Sequence, residues 1–433
     1  MEILNQTAQK AVDALLKAGA DTAQCIVTES VTHEINADNG SFSLYRTLFD
    51  NSLSLMALVK QKKGSIFVNQ FDDAAIDEAV ANCIAVAESG APDEAWEIAE
   101  KEENKVFCDG VIEPDMELFF DRFQELMRDI SQRYPKIIVE TAMGLHEKVN
   151  TVYTSSKGVH YERTCGCYGI NLQYSAHDGE KGSSLFYSAF QTANLDKPFI
   201  ECGSIAKDLA DVERQIDTVA LDRKFEGVML VPPMCLSDFL MYALDSFAGD
   251  GGLLDGTSIW KDCLGKQIAD SRITVSMNPL DDRIVCGERY TGIGHLSENY
   301  DVIKNGVLEN FMLSQYVANK IGGKRAPNNS SNIIVKNGDM PLEQMIQGIE
   351  NGILVGRFSG GRPSSNGDFS GVAKNSFLIQ NGKITHALSE TMISGNLADM
   401  LKNVVAVSKE TVCDGTSVLP YIAFRGITIS GKT

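Results

Sequence analysis

Glycine spacing limits what the C-terminal part of this chain can become. From Gly356 to Ser408 it reads GRFSGGRPSSNGDFSGVAKNSFLIQNGKITHALSETMISGNLADMLKNVVAVS. Seven glycines (356, 360, 361, 367, 371, 382 and 395) fall in its first 40 residues, about twice the chain-wide density of 37 in 433. Short runs of β-formers, SFLIQ, KITHAL and TMI, stand between them. Glycine adopts positive φ without steric cost, so this spacing predicts tight turns between strands. Asn381-Gly382 is a hairpin signal, because a type I′ turn needs φ > 0 at both central positions. The apolar residues of NLADMLKNVVAV recur at three and four, which predicts a short helix. The expectation is an antiparallel meander closed by a helix.

A chain of 433 residues exceeds a core of usual size, so two or three domains are expected. The formal net charge of −19 repels phosphate backbones, and direct nucleic-acid binding is not expected. The densest basic run, Lys60-Gln61-Lys62-Lys63, reads as a solvated turn. Residues 1–20 lack the cationic start and apolar segment of a secretory signal. No apolar run approaches the roughly 20 residues that span a bilayer. The ten cysteines are irregularly spaced, most of them inside apolar runs such as ANCIAVA and PMCLSDFL. That is the pattern of a reduced, cytoplasmic chain, not of a disulfide framework.

Along the chain, Leu4, Ala8, Ala11, Val12, Leu15 and Leu16 define an amphipathic helix over 3–18. Runs of β-formers follow, with hairpin loops expected at Asp50-Asn51-Ser52 and Lys62-Lys63-Gly64. Asp72 or Asp73 caps a second helix. Residues 90–115 are acidic and read as an exposed connection. A third helix over about 115–133 presents Phe119, Phe120, Phe123, Leu126, Met127 and Ile130, and strands alternate through 137–192. A further helix is expected over 204–218. GVMLVPP then begins a second half, with the helix LSDFLMYALDSF behind it. The fold class is α+β: an N-terminal helix/antiparallel-sheet domain over 1–222 and a β-rich domain over 223–433.

Motifs that carry chemistry are sparse. His146-Glu147 begins a metallopeptidase-like string, but LHEKVNTVY offers no second histidine and reads as a surface strand. Cys165-Gly166-Cys167 puts two thiols on one strand face, where they read as packed core thiols. The terminal GITISGKT matches a phosphate-loop pattern without the helix that such a loop needs. No G-x-S-x-G occurs. Three polar residues at turns remain as cavity-lining candidates: Cys413 in ETVCDGTSV, His295 in TGIGHLSENYD and Asp368 in NGDFSG. Local turn hydrogen bonding accounts for them equally well.

The segment GGRPSSNGDFSGVAKNSFLIQNGKITHALSETMISGNLADMLKNVVAVS resembles the C-terminal signature of the TldD/PmbA family, the so-called modulators of DNA gyrase or microcin-maturation peptidases. SIWKDCLGKQIADSRITV, YDVIKNGVLENFMLSQYVANKIG and the N-terminal DDAAIDEAVANCIAVAE are similar to that family too, so the resemblance covers nearly the whole chain. It implies a β-rich C-terminal domain enclosing a cavity, and dimers acting as a metallopeptidase on small unfolded peptides. It also implies that a catalytic sibling carries HExxxH on a helix opening the C-terminal domain, with a cysteine near the C-terminus, to hold zinc. The matching helix within Pro233–Phe247 has neither His nor Glu, and Cys413 stands where the sibling's third ligand is expected.

The chain therefore resembles the PmbA (TldE) type. The implied partners are an HExxxH-bearing TldD-type sibling, or a second copy in a homodimer, together with peptide substrates. No catalytic residue, metal ligand or cofactor is assigned to this chain, and zinc is expected only on the sibling. Two other readings stay open: a metallopeptidase with a divergent site at Cys413 and His295, and a binding protein that regulates DNA gyrase or a toxin–antitoxin system through protein partners.

Overall fold

The computed structural model describes residues 1–389 and 391–431. The N-terminal half runs α1 (Glu2–Lys17), β1 (Thr22–Asp38), β2 (Ser41–Val59), β3 (Lys62–Val68), α2 (Asp73–Ser89), β4 (Lys105–Gly110), α3 (Met116–Arg133), β5 (Ile137–Ser155), β6 (His160–Asp178), β7 (Lys181–Gly182), β8 (Phe186–Thr192) and α4 (Ile205–Glu213). The C-terminal half runs β9 (Thr218–Ala220), β10 (Lys224–Val231), α5 (Pro233–Phe247), α6 (Asp250–Leu254), β11 (Val275–Met277), β12 (Tyr300–Lys304), β13 (Val307–Leu308), α7 (Gln315–Ile321), β14 (Ile333–Val335), α8 (Leu342–Gln347) and β15 (Asn351–Leu354). It ends with β16 (Arg357–Gly360), β17 (Asp368–Lys374), β18 (Ser376–Gln380), β19 (Lys383–Ser389), β20 (Met392–Asn396), α9 (Leu397–Lys402), β21 (Val404–Cys413) and β22 (Val418–Ser430). The fold is α+β, with one large sheet in each half.

The first sheet has the order β3-β2-β1-β5-β6-β4. β2, β5 and β6 are each 19 residues long, about 60 Å at 3.3 Å per residue. Strands of that length carry two separate cores on one face. Helices α1 and α2 cover Cys25, Val27 and Leu55 at one end. Helices α3 and α4 cover Ile35, Val139, Ile170 and Leu172 at the other. Each large apolar side chain buried there stabilises by about 2 kcal/mol. A register shift between Val139 and Thr141 lets β5 serve both cores. It moves the inward positions from Ile137 and Val139 to Ala142 and Val152, which a strict two-residue period forbids.

The second sheet is built around β22, which pairs with β10, β14, β20 and β21. The expected meander is present as strands and a closing helix, and Asn381 and Gly382 have φ of 49° and 74°. It does not run as one ladder. β18 and β19 join the path through β15, while β16, β17 and β20 form a branch reaching β22. Asn375, at φ 50°, turns the chain between the two branches. β9 precedes the expected boundary near residue 222 yet pairs in parallel with β19 in the second sheet.

Several local expectations are corrected. Asp50-Asn51-Ser52 lies inside β2, paired with Ser30, Glu29 and Thr28. The turns fall instead at Asn39-Gly40 and Lys60-Gln61, where all four residues have positive φ. Residues 90–115 are not merely a connection, because β4 pairs there in parallel with β6. The helix expected over 204–218 stops at Glu213. His146 is in a strand but not at the surface: it is 1% exposed, and its Nε2 lies 2.8 Å from the Val111 carbonyl. Asp72 caps α2 as expected, accepting from the Ala74 and Ala75 amides. Gly426 to Ser430 of GITISGKT lie in β22, while Lys432 and Thr433 lie outside the described residues. No helix among the described residues is long and apolar enough to cross a membrane.

Candidate functional site

Helix α5 follows directly from the central strand β10, and Pro232-Pro233 fixes its start. Proline suits the first helical position because its missing N–H has no intrahelical partner there. Cys235, Leu236, Phe239, Leu240, Ala243, Leu244 and Phe247 form a buried stripe on the core that also holds Phe369, Leu397 and Phe424. Burial pushes the Cys235 thiol up to about 12, so it packs as a neutral core residue. The first turns of the helix, at Met234, Ser237 and Asp238, instead face a cleft of about 210 Å³.

The cleft lies between the two halves. Tyr187, Ser188, Ala189 and Ser204 supply its N-terminal wall, and Val412, Asp414 and Ser417 supply another beside α5. Asp414 shapes that turn. Its carboxylate accepts from the Thr416 and Ser417 amides at 2.8 and 2.7 Å, and from both hydroxyls. Behind Ser204, Pro233 and Met234 lies a smaller cavity of about 40 Å³, lined also by Asp208, Asn375, Phe377 and Tyr421. Asp208 accepts from Ser188 and Ser204 at 2.8 and 2.6 Å. Loss of hydration nevertheless pushes its carboxyl up to about 6. Nothing in SIAKDLADV marks Asp208 as different from other helix-surface acids. It faces Pro233, Phe377 and Tyr421 of the C-terminal half across the small cavity.

The three candidates from the sequence occupy different surroundings. Cys413 is exposed, sits between the wall residues Val412 and Asp414, and donates to the Arg283 carbonyl at 3.6 Å. His295 lies on the face where the halves meet. Its Nδ1 is 3.9 Å from Glu102, its Nε2 is buried with no hydrogen-bond partner, and burial holds its pKa below the usual range. Asp368 is exposed and accepts from Asn366 and Asn396, which hold its carboxyl below the usual range. Asn396 also caps α9, so Asp368 is tied into turn chemistry.

Helix α5 offers no imidazole, and among the described residues no three His, Cys, Asp or Glu side chains converge in a way that could hold a metal. This donor set does not fit a hydrolytic zinc, which takes about three protein ligands and keeps a position open for water.

Sequence reasoning missed the docking surface between the halves. The loop after β11 lies on the face of the first sheet opposite its helices. Tyr290 packs there against Phe107, Tyr153 and Tyr161. Arg289 and Arg163 both reach Asp109. Nearby, Trp96 stacks on Tyr316 with centroids 3.8 Å apart. The aromatic content of VYTS, VHYER and ERYTG was the available signal, since alternating aromatics suggest a covered strand face.

The family model described as PmbA/TldA metallopeptidase C-terminal domain matches residues 204–431. The chain is 23% identical over 451 residues to Metalloprotease PmbA of Escherichia coli O157:H7, covering 98% of this chain and 96% of that one. It is 24% identical to the Metalloprotease PmbA homolog of Haemophilus influenzae over 94% of this chain and 91% of that one. The crystal structure of TldE from Thermococcus kodakarensis superposes with a TM-score of 0.84 at 19% identity, covering 98% of this chain and 99% of that one. A proposed modulator of DNA gyrase from Bacteroides thetaiotaomicron gives 0.85 at 24% identity, covering 99% of both. These likenesses share one fold, and the chain belongs to the PmbA/TldD family of metalloprotease-like proteins.

Proposed function

We propose that this chain is the zinc-motif-lacking subunit of a TldD/PmbA-type metallopeptidase complex that degrades or processes small unfolded peptides. The observation that carries this reading is helix α5. It holds the position that opens the C-terminal sheet domain, yet it carries neither His nor Glu. Without an imidazole pair the helix cannot hold a zinc-bound water, and its Asp238 has no such water to deprotonate.

The cleft beside α5 supports a peptide-handling role. The Ser237 hydroxyl offers a donor to a backbone, the oxygens of Ser188, Ser204 and Ser417 offer acceptors, and Tyr187 and Met234 offer apolar contact. At about 210 Å³ it admits a short segment rather than a folded domain. In this reading the chain encloses and feeds a cavity whose zinc belongs to the HExxxH-bearing sibling.

A divergent zinc site at Cys413 and His295 has less support, because the two side chains address different neighbours, Arg283 and Glu102. The test is co-expression with an HExxxH-bearing TldD-type sibling and gel filtration of the mixture. The two chains elute as one complex. Separate elution at micromolar concentration contradicts the partner role.

A further inference from the structure

Three thiols converge where the two halves meet. Cys165 and Cys167 leave β6 on the face opposite its helices, two positions apart, as a strand's alternation requires. Cys286 comes from the docking loop of the other half and places its sulfur 3.4 Å from the carbonyl of Gly166, between them. Its thiol donates to that carbonyl and lies 4.0 Å from the Asp109 carbonyl, beside both strand thiols. Its aim is enforced by the backbone. Cys286 has φ 52°, a left-handed conformation uncommon for a non-glycine residue, and Arg163 holds the Cys286 and Gly287 carbonyls at 2.8 Å. The charge around the thiols is unbalanced: Arg163 and Arg289 share the single carboxylate of Asp109. Arg163 favours the thiolate, the reactive form of cysteine, at Cys165 and Cys286, whereas Glu147 opposes it at Cys167.

We infer that Cys167 and Cys286 form a reversible thiol-oxidation site, closed by a small peroxide into a disulfide that ties the two halves of the molecule together. Cys167 takes the first step. Cys286 beside it holds its thiol below the usual range, whereas the same neighbour pushes Cys165 up. The Cys167 thiolate attacks one oxygen of hydrogen peroxide, the O–O bond breaks, and hydroxide leaves, taking up the proton that Cys167 released. The product is a sulfenic acid. The Cys286 sulfur then attacks the Cys167 sulfur, the S–O bond breaks, and the displaced hydroxide leaves as water with the Cys286 proton. Peroxide is reduced by two electrons, and the two thiols are oxidised by the same two. A dithiol reductant reverses the bridge by exchange.

The exposed thiols Cys108 and Cys413 provide the contrast. Cys108 neighbours Asp109 on β4 and so points to the other side of that strand. Exposure alone would make these two the first to oxidise.

The full reduced chain is treated with hydrogen peroxide, its remaining thiols are blocked by alkylation, and non-reduced tryptic peptides are mapped by fragmentation. Peptide 164–181 is expected joined to 284–289 through Cys167 and Cys286, and dithiothreitol separates them. The bridge raises the melting temperature by about 5 °C or more, because it closes a loop of more than a hundred residues. Cys286→Ser abolishes the bridge and the shift, while Cys108→Ser keeps both. A Cys286 that stays fully alkylatable while Cys108 and Cys413 oxidise overturns the inference. So does a bridge that forms equally well in the urea-unfolded chain. Both results come from the unmodified protein and do not depend on a variant folding.

Discussion

Arg289 grips Asp109 across 180 residues of chain, its Nε donating to both carboxylate oxygens at 3.0 and 3.1 Å. The pair joins the docking loop of the C-terminal half to strand β4 of the N-terminal sheet, and Arg163 reaches the same carboxylate from β6. Asp109 is 9% exposed. The arrangement turns two sheets with separate cores into one body.

Asp109→Asn leaves the guanidinium groups of Arg163 and Arg289, with side chains 17% and 34% exposed, without their shared anion. Removing one partner of a buried ionic cluster costs about 3 kcal/mol, more than the cluster's net contribution, because the remaining charge is still desolvated. The urea midpoint is expected to fall accordingly, with faster proteolysis in the loop around Cys286–Leu296. An unchanged midpoint would show that the ion pair is not what holds the halves together.

Gly294 belongs to the same loop. It has φ 93°, and a Cβ there would lie 2.6 Å from the Tyr153 hydroxyl oxygen. Tyr153 is itself fixed by donating to Gln24 at 3.0 Å. Gly294→Ala is expected to cost roughly 2 kcal/mol or more through strain and overpacking. Gly292→Ala, where a Cβ meets nothing within 4 Å, stays within about 0.5 kcal/mol of the parent. Equal effects in thermal unfolding would remove the close approach as the cause.

The carboxyl of Asp208 gives a dependence on pH with a definite sign. Its pKa rises from 3.8 to about 6 on folding, mainly through lost hydration. The native state then binds more protons than the unfolded one across that interval, so stability falls as pH rises from about 4 to about 6. The full difference amounts to at most roughly 3 kcal/mol. Asp208→Asn carries no charge to desolvate and flattens that part of the curve. Denaturation midpoints of parent and variant at pH 4.5 and pH 7.5 test this. The variant gains on the parent at the higher pH, and a gain at the lower pH would reverse the argument.

What was legible in the sequence had local causes. Asn381-Gly382 makes its turn because the two residues themselves tolerate positive φ, and α5 is readable because six apolar side chains, Leu236, Phe239, Leu240, Ala243, Leu244 and Phe247, repeat at helical spacing. β4 was not readable: its six residues alternate weakly, and its ladder partners lie on β6, more than fifty residues later. The turn at Lys60-Gln61 contains no glycine at all, and the basic run Lys60-Gln61-Lys62-Lys63 is what marks it. At the candidate site, the resemblance implied that α5 and the surroundings of Cys413 meet, but not the wall that Tyr187, Ser188 and Ser204 of the N-terminal half supply. Asp208 and Arg289 escaped notice because each faces residues of the other half of the chain.

The partner-subunit reading is tested most directly by measuring zinc content and peptide hydrolysis for this chain alone, for an HExxxH-bearing TldD-type sibling alone, and for their mixture. The chain alone is expected to hold no stoichiometric zinc and to cleave no unfolded peptide, and adding it to the sibling raises the sibling's zinc-dependent cleavage. Stoichiometric zinc with chelator-sensitive cleavage by this chain alone would contradict the account.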